Sequence, residues 1–70
     1  MDAPTHLDLP VETLLKAVDV AHFLNISRAY AYQLMQRGEI PTVKIGTACR
    51  VRLVDLKAYI RENLHPNPRA

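Results

Sequence analysis

The stretch between residues 17 and 41 constrains the fold of this chain more than any other part of the sequence. Its first apolar residues follow the i, i+3, i+4, i+7 spacing of one helix face: Ala17, Val20, Ala21 and Leu24. Asn25 follows, and asparagine tolerates the left-handed conformation that ends a helix. Ser27 is a candidate N-cap for a second helix, which Gly38 would end and Pro41 would prevent from continuing. The stretch therefore predicts two short helices joined by a tight turn.

The second predicted helix, residues 28–37, has two faces of different chemistry. At about 100° per residue, Ala31, Leu34 and Met35 project to one side, which we expect to face the core. The opposite side carries small, amide and aromatic groups, with an arginine at each end and no acid: Arg28, Ala29, Tyr32, Gln33, Gln36 and Arg37. Two helices meeting across such a turn form a helix-turn-helix, whose second helix fits the DNA major groove.

The second half of the chain predicts a hairpin and a third helix. Residues 42–45 and 49–53 are β-like runs around a three-residue loop that starts at Gly46. Alternation predicts that Val43, Ile45 and Val51 face the helices. It places three basic side chains on the other side: Lys44, Arg50 and Arg52. Over residues 54–63 and their flanks, one helical stripe holds Leu53, Leu56, Ile60 and Leu64.

These elements predict a small α+β fold, a winged helix-turn-helix with three helices and a two-stranded β-hairpin as the wing. Seventy residues suffice for one small domain. We expect it to span residues 14–64, between a flexible N-terminal arm (residues 1–13) and a disordered C-terminal tail (residues 65–70). A short turn around residues 11–15 would pack Leu14 or Leu15 onto the core.

Charge is distributed unevenly along the chain. Residues 26–52 contain five basic side chains and Glu39 as their one acid, a net charge of +4, although the whole chain carries only +2. A basic middle between acidic flanks favours a face for a polyanion such as DNA. Chance scatter of charge in a small domain is the alternative interpretation.

Other classes of function find little support in the sequence. A single cysteine, Cys49, forms no internal disulfide and fits a reducing cytoplasmic setting. No apolar run approaches membrane-spanning length, and the N-terminus lacks the pattern of a secretory signal. His6, His22 and His65 lack cysteine partners at metal spacing, and the acids show no paired arrangement for catalysis. We therefore expect no enzymatic activity, no cofactor, no metal, no small-molecule substrate and no membrane association.

Residues 14–46 and 50–60 together resemble the excisionase-type domain, a small branch of the MerR-like winged helix-turn-helix proteins. The resemblance rests on the order and spacing of short pieces: Val20-Ala21, Ile26-Ser27-Arg28, Tyr32, Arg37-Gly-Glu-Ile-Pro41, Ile45-Gly46, Asp55-Leu56 and Tyr59-Ile60. The chain departs from the family pattern in three places. Lys16 replaces a helix-capping threonine, Asn25 replaces a turn glycine, and residues 47–49 lack the arginines common at the wing.

The resemblance implies a DNA-binding architectural factor, an excisionase or recombination directionality factor, that bends attachment-site DNA and directs an integrase toward excision. Its expected partners are double-stranded DNA, an integrase and neighbouring copies of itself, in the cytoplasm at the nucleoid. Two alternatives stay open. One is a small transcriptional regulator with the same fold; the other is a protein-interaction adaptor that docks a partner through Tyr30, Tyr59 and the proline-bearing tails.

The candidate DNA-binding residues lie on the second helix and the wing: Ser27, Arg28, Ala29, Tyr32, Gln33, Gln36, Arg37, Lys44, Thr47 and Arg50. Arg28 and Gln33 are the candidates for base contacts, since arginine matches guanine and glutamine matches adenine. We expect Arg37, Lys44 and Arg50 to hold phosphates, with Arg50 also a candidate for the minor groove. The alternative for all of these is a solvated polar surface. For Tyr32, partial core packing is as plausible as a phosphate contact.

Overall fold

The structure is a computed structural model that describes Leu9, Pro10 and residues 12–65. Its elements are β1 (Leu14–Leu15), α1 (Ala17–Leu24), α2 (Arg28–Gln36), β2 (Val43–Ile45), β3 (Ala48–Arg52) and α3 (Leu53–Glu62). The predicted α+β winged fold is confirmed. Most of the predicted N-terminal arm and C-terminal tail lies outside the described residues, so their expected flexibility stays a prediction.

The sheet has one strand more than the sequence predicted. Its order is β1-β3-β2, and both pairings are antiparallel. The backbone N–H of Thr13 donates to the carbonyl of Pro10 at 3.0 Å, and the added strand follows, with Leu15 buried as expected and Leu14 exposed. The carbonyl of Thr13 also accepts a hydrogen bond of 2.9 Å from the backbone N–H of Leu53. A strand of two residues is too short to show alternation, so only its pairing with β3 defines it.

The predicted orientation of β2 was wrong because the hairpin loop is one residue shorter than expected. Ile45 pairs with Ala48 across a two-residue loop, so Val43 lies opposite Arg50 and Lys44 opposite Cys49. Directly opposed residues share a face of the sheet, and a shift of one residue moves every side chain to the other face. Ile45 is accordingly 54% exposed.

Lys44 therefore lies on the face that packs toward the helices, together with Cys49 and Val51. Val43 and Ile45 lie on the outer face, beside Arg50. Gly46, at the first loop position, has φ +60°, as a type II′ turn requires. The expected inward orientation of Val51 is confirmed, since its side chain is fully buried.

The hydrophobic core lies between the inner face of the sheet and the three described helices. It consists of Leu15, Val20, Ala21, Ala31, Leu34, Met35, Ile40, Val51, Leu53 and Leu56. The predicted inner face of α2 is thus confirmed. Leu24 and Phe23 of α1 are partly buried against this core, and so is Leu9.

The apolar stripe of α3 is only half covered. Leu53 and Leu56 are fully buried, whereas Ile60 is 42% and Leu64 is 72% exposed. The start of α3 is held by its own ion pair, in which the Arg52 guanidinium donates to both oxygens of Asp55 at 2.6 and 3.0 Å. The first turn of α3 is therefore anchored in the core, and its last turn extends beyond it.

This division of α3 predicts unequal effects of truncating two residues of the same stripe. Leu56→Ala should lower the free energy of unfolding by about 2–5 kcal/mol, because it removes a fully buried leucine side chain. Ile60→Ala should cost less than about 1.5 kcal/mol, because its side chain keeps much of its solvent exposure in the fold. Urea unfolding followed by circular dichroism measures both. Equal losses would contradict the placement of α3.

Candidate nucleic-acid interface

The turn between α1 and α2 is built from local backbone chemistry. Asn25 has φ +58° and ψ +45°, so it ends α1 in the predicted left-handed conformation. The N–H groups of Asn25 and Ile26 then donate to the last free carbonyls of α1, those of His22 and Ala21. Ser27 caps α2 as predicted, since its Oγ accepts a 3.1 Å hydrogen bond from the N–H of Tyr30. The start of α2 is thereby fixed relative to α1.

The exposed surface of α2 carries the predicted candidate residues. Arg28, Ala29, Tyr32, Gln33, Gln36 and Arg37 are all exposed. The helix ends at Gln36, and Gly38 follows with φ +75°, as expected for the residue after a C-cap. We call this exposed surface the α2 crest. It contains no acid, so nothing on it repels a phosphate backbone.

A shallow depression lies beside the first half of α2, against the start of α1. It is lined by Lys16, Ala17, Val18, Arg28, Ala29 and Tyr32. A lysine side chain has no acceptor atom, so Lys16 cannot cap α1 through its side chain. The Asp19 carboxylate accepts the backbone N–H of Lys16 at 2.9 Å instead, and the ammonium group stays exposed. This α1-side depression therefore combines two basic side chains with a tyrosine.

A second depression lies beside the last half of α2, against the wing. It is lined by Tyr32, Met35, Gln36, Gly38, Thr42, Lys44, Thr47 and Cys49. Lys44 reaches it because the two-residue hairpin loop turns this side chain toward α2. Tyr32 borders both depressions, and we refer to the two depressions together as the concave surface along α2. This wing-side depression contains Lys44 as its single basic side chain.

The structure separates Arg50 from this concave surface. Arg50 is half-buried on the outer face of β3, and its Nη1 donates to the carbonyl of Cys49 at 3.0 Å. Arg37 lies at the end of α2, with its Nη1 at 3.7 Å from Oε2 of Glu39, and both side chains are exposed. Of the candidates, Arg28, Ala29, Tyr32, Gln36, Lys44 and Thr47 are thus brought together along one side of α2.

Comparison with known protein families now agrees with this geometry. A family model described as a helix-turn-helix domain matches residues 14–64. The chain belongs to the helix-turn-helix domain family. The match supports a small DNA-binding helix-turn-helix domain. No curated protein and no solved structure matches the chain significantly.

Among the residues that line the two depressions, sequence reasoning did not identify Lys16, Val18 and Thr42 as part of the site. In the sequence, Lys16 is notable only because it replaces a helix-capping threonine. No neighbouring residue in the sequence indicates that the start of α1 lies beside Arg28. That proximity comes from the packing of α1 on α2. Val18 is 49% exposed, which its position on the first turn of an amphipathic helix could have indicated.

Two side chains outside the α2 crest, Tyr59 and Arg52, have shifted pKa values. Burial raises the pKa of the Tyr59 phenol, and the charges of Glu39 and Tyr30 add to this effect while Arg37 opposes it. Tyr59 therefore stays neutral near pH 7. The hydrogen bond with Asp55, and then its charge, raises the pKa of Arg52. Arg52 is consequently always charged and already paired within the chain.

Within residues 9–10 and 12–65, no three histidine, cysteine or acidic side chains lie together as a metal site would need. None of the helices described is both long and apolar enough to cross a membrane.

The cap at Ser27 predicts a stability change that leaves the crest unaltered. Ser27→Ala should lower the free energy of unfolding by about 1 kcal/mol, because the N–H of Tyr30 loses its acceptor. Ser27→Asn keeps a side-chain oxygen at the cap and serves as the matched control, with a loss of only a few tenths expected. Thermal unfolding measures both variants. An equal loss in the two would mean that the Ser27 hydroxyl is not the cap that holds α2.

Proposed function

We propose that this chain is a sequence-specific binding protein for double-stranded DNA and that it acts without catalysis. The observation that carries the proposal is the acid-free α2 crest, exposed along its whole length beside two depressions that contain Lys16, Arg28 and Lys44. Membership of the helix-turn-helix family supports the same docking mode.

In the proposed complex α2 lies in the major groove, whose width of about 12 Å admits one helix. Arg28 and Gln33 reach base edges from the crest. A DNA strand bordering the groove follows the concave surface along α2, where Lys16, Lys44 and the hydroxyl of Tyr32 contact its phosphates. Phosphate contacts of this kind fix the register of the protein on the duplex but carry no sequence information.

Arg37 and Arg50 have separate roles in this arrangement. Arg37 lies at the end of α2 and would contact the opposite strand after exchanging Glu39 for a phosphate. Arg50 lies on the outer face of the wing, where it would meet the neighbouring backbone or minor groove. The wing therefore presents Lys44 and Arg50 from its two faces, and we propose that the DNA curves around the hairpin to contact both.

We further propose that the protein is an excisionase, or recombination directionality factor, acting in the cytoplasm. The pieces of sequence that resemble excisionase-type domains support this role. A single α2 offers few base contacts, and each mismatched base pair costs only about 1–3 kcal/mol. Useful specificity then requires several copies on adjacent sites, with DNA bending adding to it. An integrase bound to the same DNA is the expected partner.

Electrostatic contacts of this kind predict a strong dependence on salt. Five basic contacts (Lys16, Arg28, Arg37, Lys44 and Arg50) should give a slope of log affinity against log salt of about −4 to −5. Lys44→Ala should reduce the steepness by about 1, because it removes one phosphate contact. Lys57→Ala, on the exposed side of α3, is the control and should leave the slope unchanged. Fluorescence anisotropy with a labelled duplex measures the slopes; a value near zero for the wild-type protein would refute the proposal.

The excision role predicts a specific gain of recombination. Adding the protein to an integrase and its attachment-site DNA should raise excision and produce several adjacent footprints at the element ends. The double variant Arg28→Ala, Gln33→Ala should lose both effects while it keeps its thermal unfolding temperature. A footprint at a promoter without any gain of excision would instead identify a transcriptional regulator. Unchanged DNA binding by the double variant would favour the adaptor.

A further inference from the structure

Two side chains on the α2 crest are joined by a hydrogen bond. Tyr32 and Gln36 lie one helical turn apart, and Nε2 of Gln36 donates to the hydroxyl oxygen of Tyr32 at 3.0 Å. Both side chains are exposed, so this contact contributes nothing to the core. Gln33 is also exposed on the crest, but its side-chain amide forms no hydrogen bond within the part of the chain that the structure describes.

The hydrogen bond fixes the orientation of the Gln36 amide when the Tyr32 hydroxyl donates its own hydrogen to a phosphate, because the hydroxyl oxygen can then only accept from Gln36. A free glutamine amide exchanges its oxygen and nitrogen by rotating half a turn about its last torsion, because that torsion is broad and roughly two-fold. With one N–H of Gln36 held by Tyr32, the carbonyl oxygen and the second N–H point away from the tyrosine in one arrangement. The pair therefore presents one acceptor beside one donor.

That arrangement matches one base in the major groove. Adenine presents the N6 amino donor beside the N7 acceptor, whereas guanine presents two acceptors, O6 and N7. A fixed Gln36 would place its carbonyl oxygen against O6 of guanine, where the two acceptors repel. A free amide escapes this repulsion by turning its nitrogen toward O6.

We propose that the Tyr32–Gln36 pair recognises an adenine in the target site, with Gln36 contacting the base and Tyr32 as the positioning residue. The inference rests on the proposed DNA binding and extends it to one base. Tyr32 accepts from Gln36, so its own hydroxyl hydrogen remains available for a phosphate oxygen. Because Tyr32 borders both depressions, the phosphate contact and the base contact are coupled through one side chain.

The test begins with wild-type protein and a pool of randomised duplexes, from which a consensus site is selected. Gln36→Ala should relax one adenine position, with the preference for adenine over guanine falling by roughly 5- to 100-fold, the range for a paired glutamine–adenine contact. Tyr32→Phe should lower the same preference by about 2- to 12-fold, the range for losing one hydrogen bond, and should leave the other positions unchanged. At that position 7-deazaadenine, which lacks N7, should weaken the wild-type protein but not Gln36→Ala.

Gln33→Ala is the matched control, since Gln33 lies on the same crest without a tyrosine partner. Its effect on base preference should fall on a different base. The effects of Gln33→Ala and Tyr32→Phe on the free energy of binding should be additive, whereas those of Gln36→Ala and Tyr32→Phe should not. Circular dichroism verifies that each variant is folded.

An unchanged adenine preference in Tyr32→Phe, or no relaxed adenine in Gln36→Ala, would overturn the inference and leave the proposed DNA binding intact. No enrichment of any duplex by the wild-type protein would overturn both.

Discussion

Burial of Ala31, Leu34 and Met35 fixes the rotation of α2 about its own axis, and that rotation decides which side chains are left exposed. The three are at most 4% exposed. Each such side chain larger than alanine contributes about 1.5–3 kcal/mol through its burial. Turning the helix by one residue, about 100°, would bury one glutamine side chain in the core and expose part of this apolar face. The packing of the core therefore determines which side chains of α2 form the crest.

The second constraint is the register between β2 and β3, which depends on whether the hairpin loop has two or three residues. A two-residue loop at Gly46 turns Lys44 toward α2 and leaves Arg50 on the outer face. A three-residue loop would instead place Lys44 on the outer face together with Arg50. The positive charge of the wing is therefore divided between the concave surface beside α2 and the outside of the hairpin. In the proposed complex the duplex curves around the hairpin to touch both, in keeping with the architectural role proposed here.

The parts of the fold that depend on local chemistry could be predicted from the sequence. Asn25, Ser27 and Gly38 each determine a helix end through their own backbone or side-chain hydrogen bonds, and the period of about 3.6 residues identified the buried face of α2. The parts that depend on distant pairing could not. The strand at Leu14 exists only because β3 lies beside it, and Lys16 joins the site only because α1 packs on α2. Loop length at Gly46 is of the same kind, since two- and three-residue hairpins share a glycine signal.

The central claim, that the exposed side of α2 is the surface that meets DNA, is tested most directly by an NMR titration of the isotope-labelled protein with a duplex. Amide shifts should change along residues 28–37, at Lys16 and around Lys44, while the amides of Tyr59 and Ile60 stay in place. Changes confined to α3 and the outer face of the sheet, with α2 unaffected, would contradict the account.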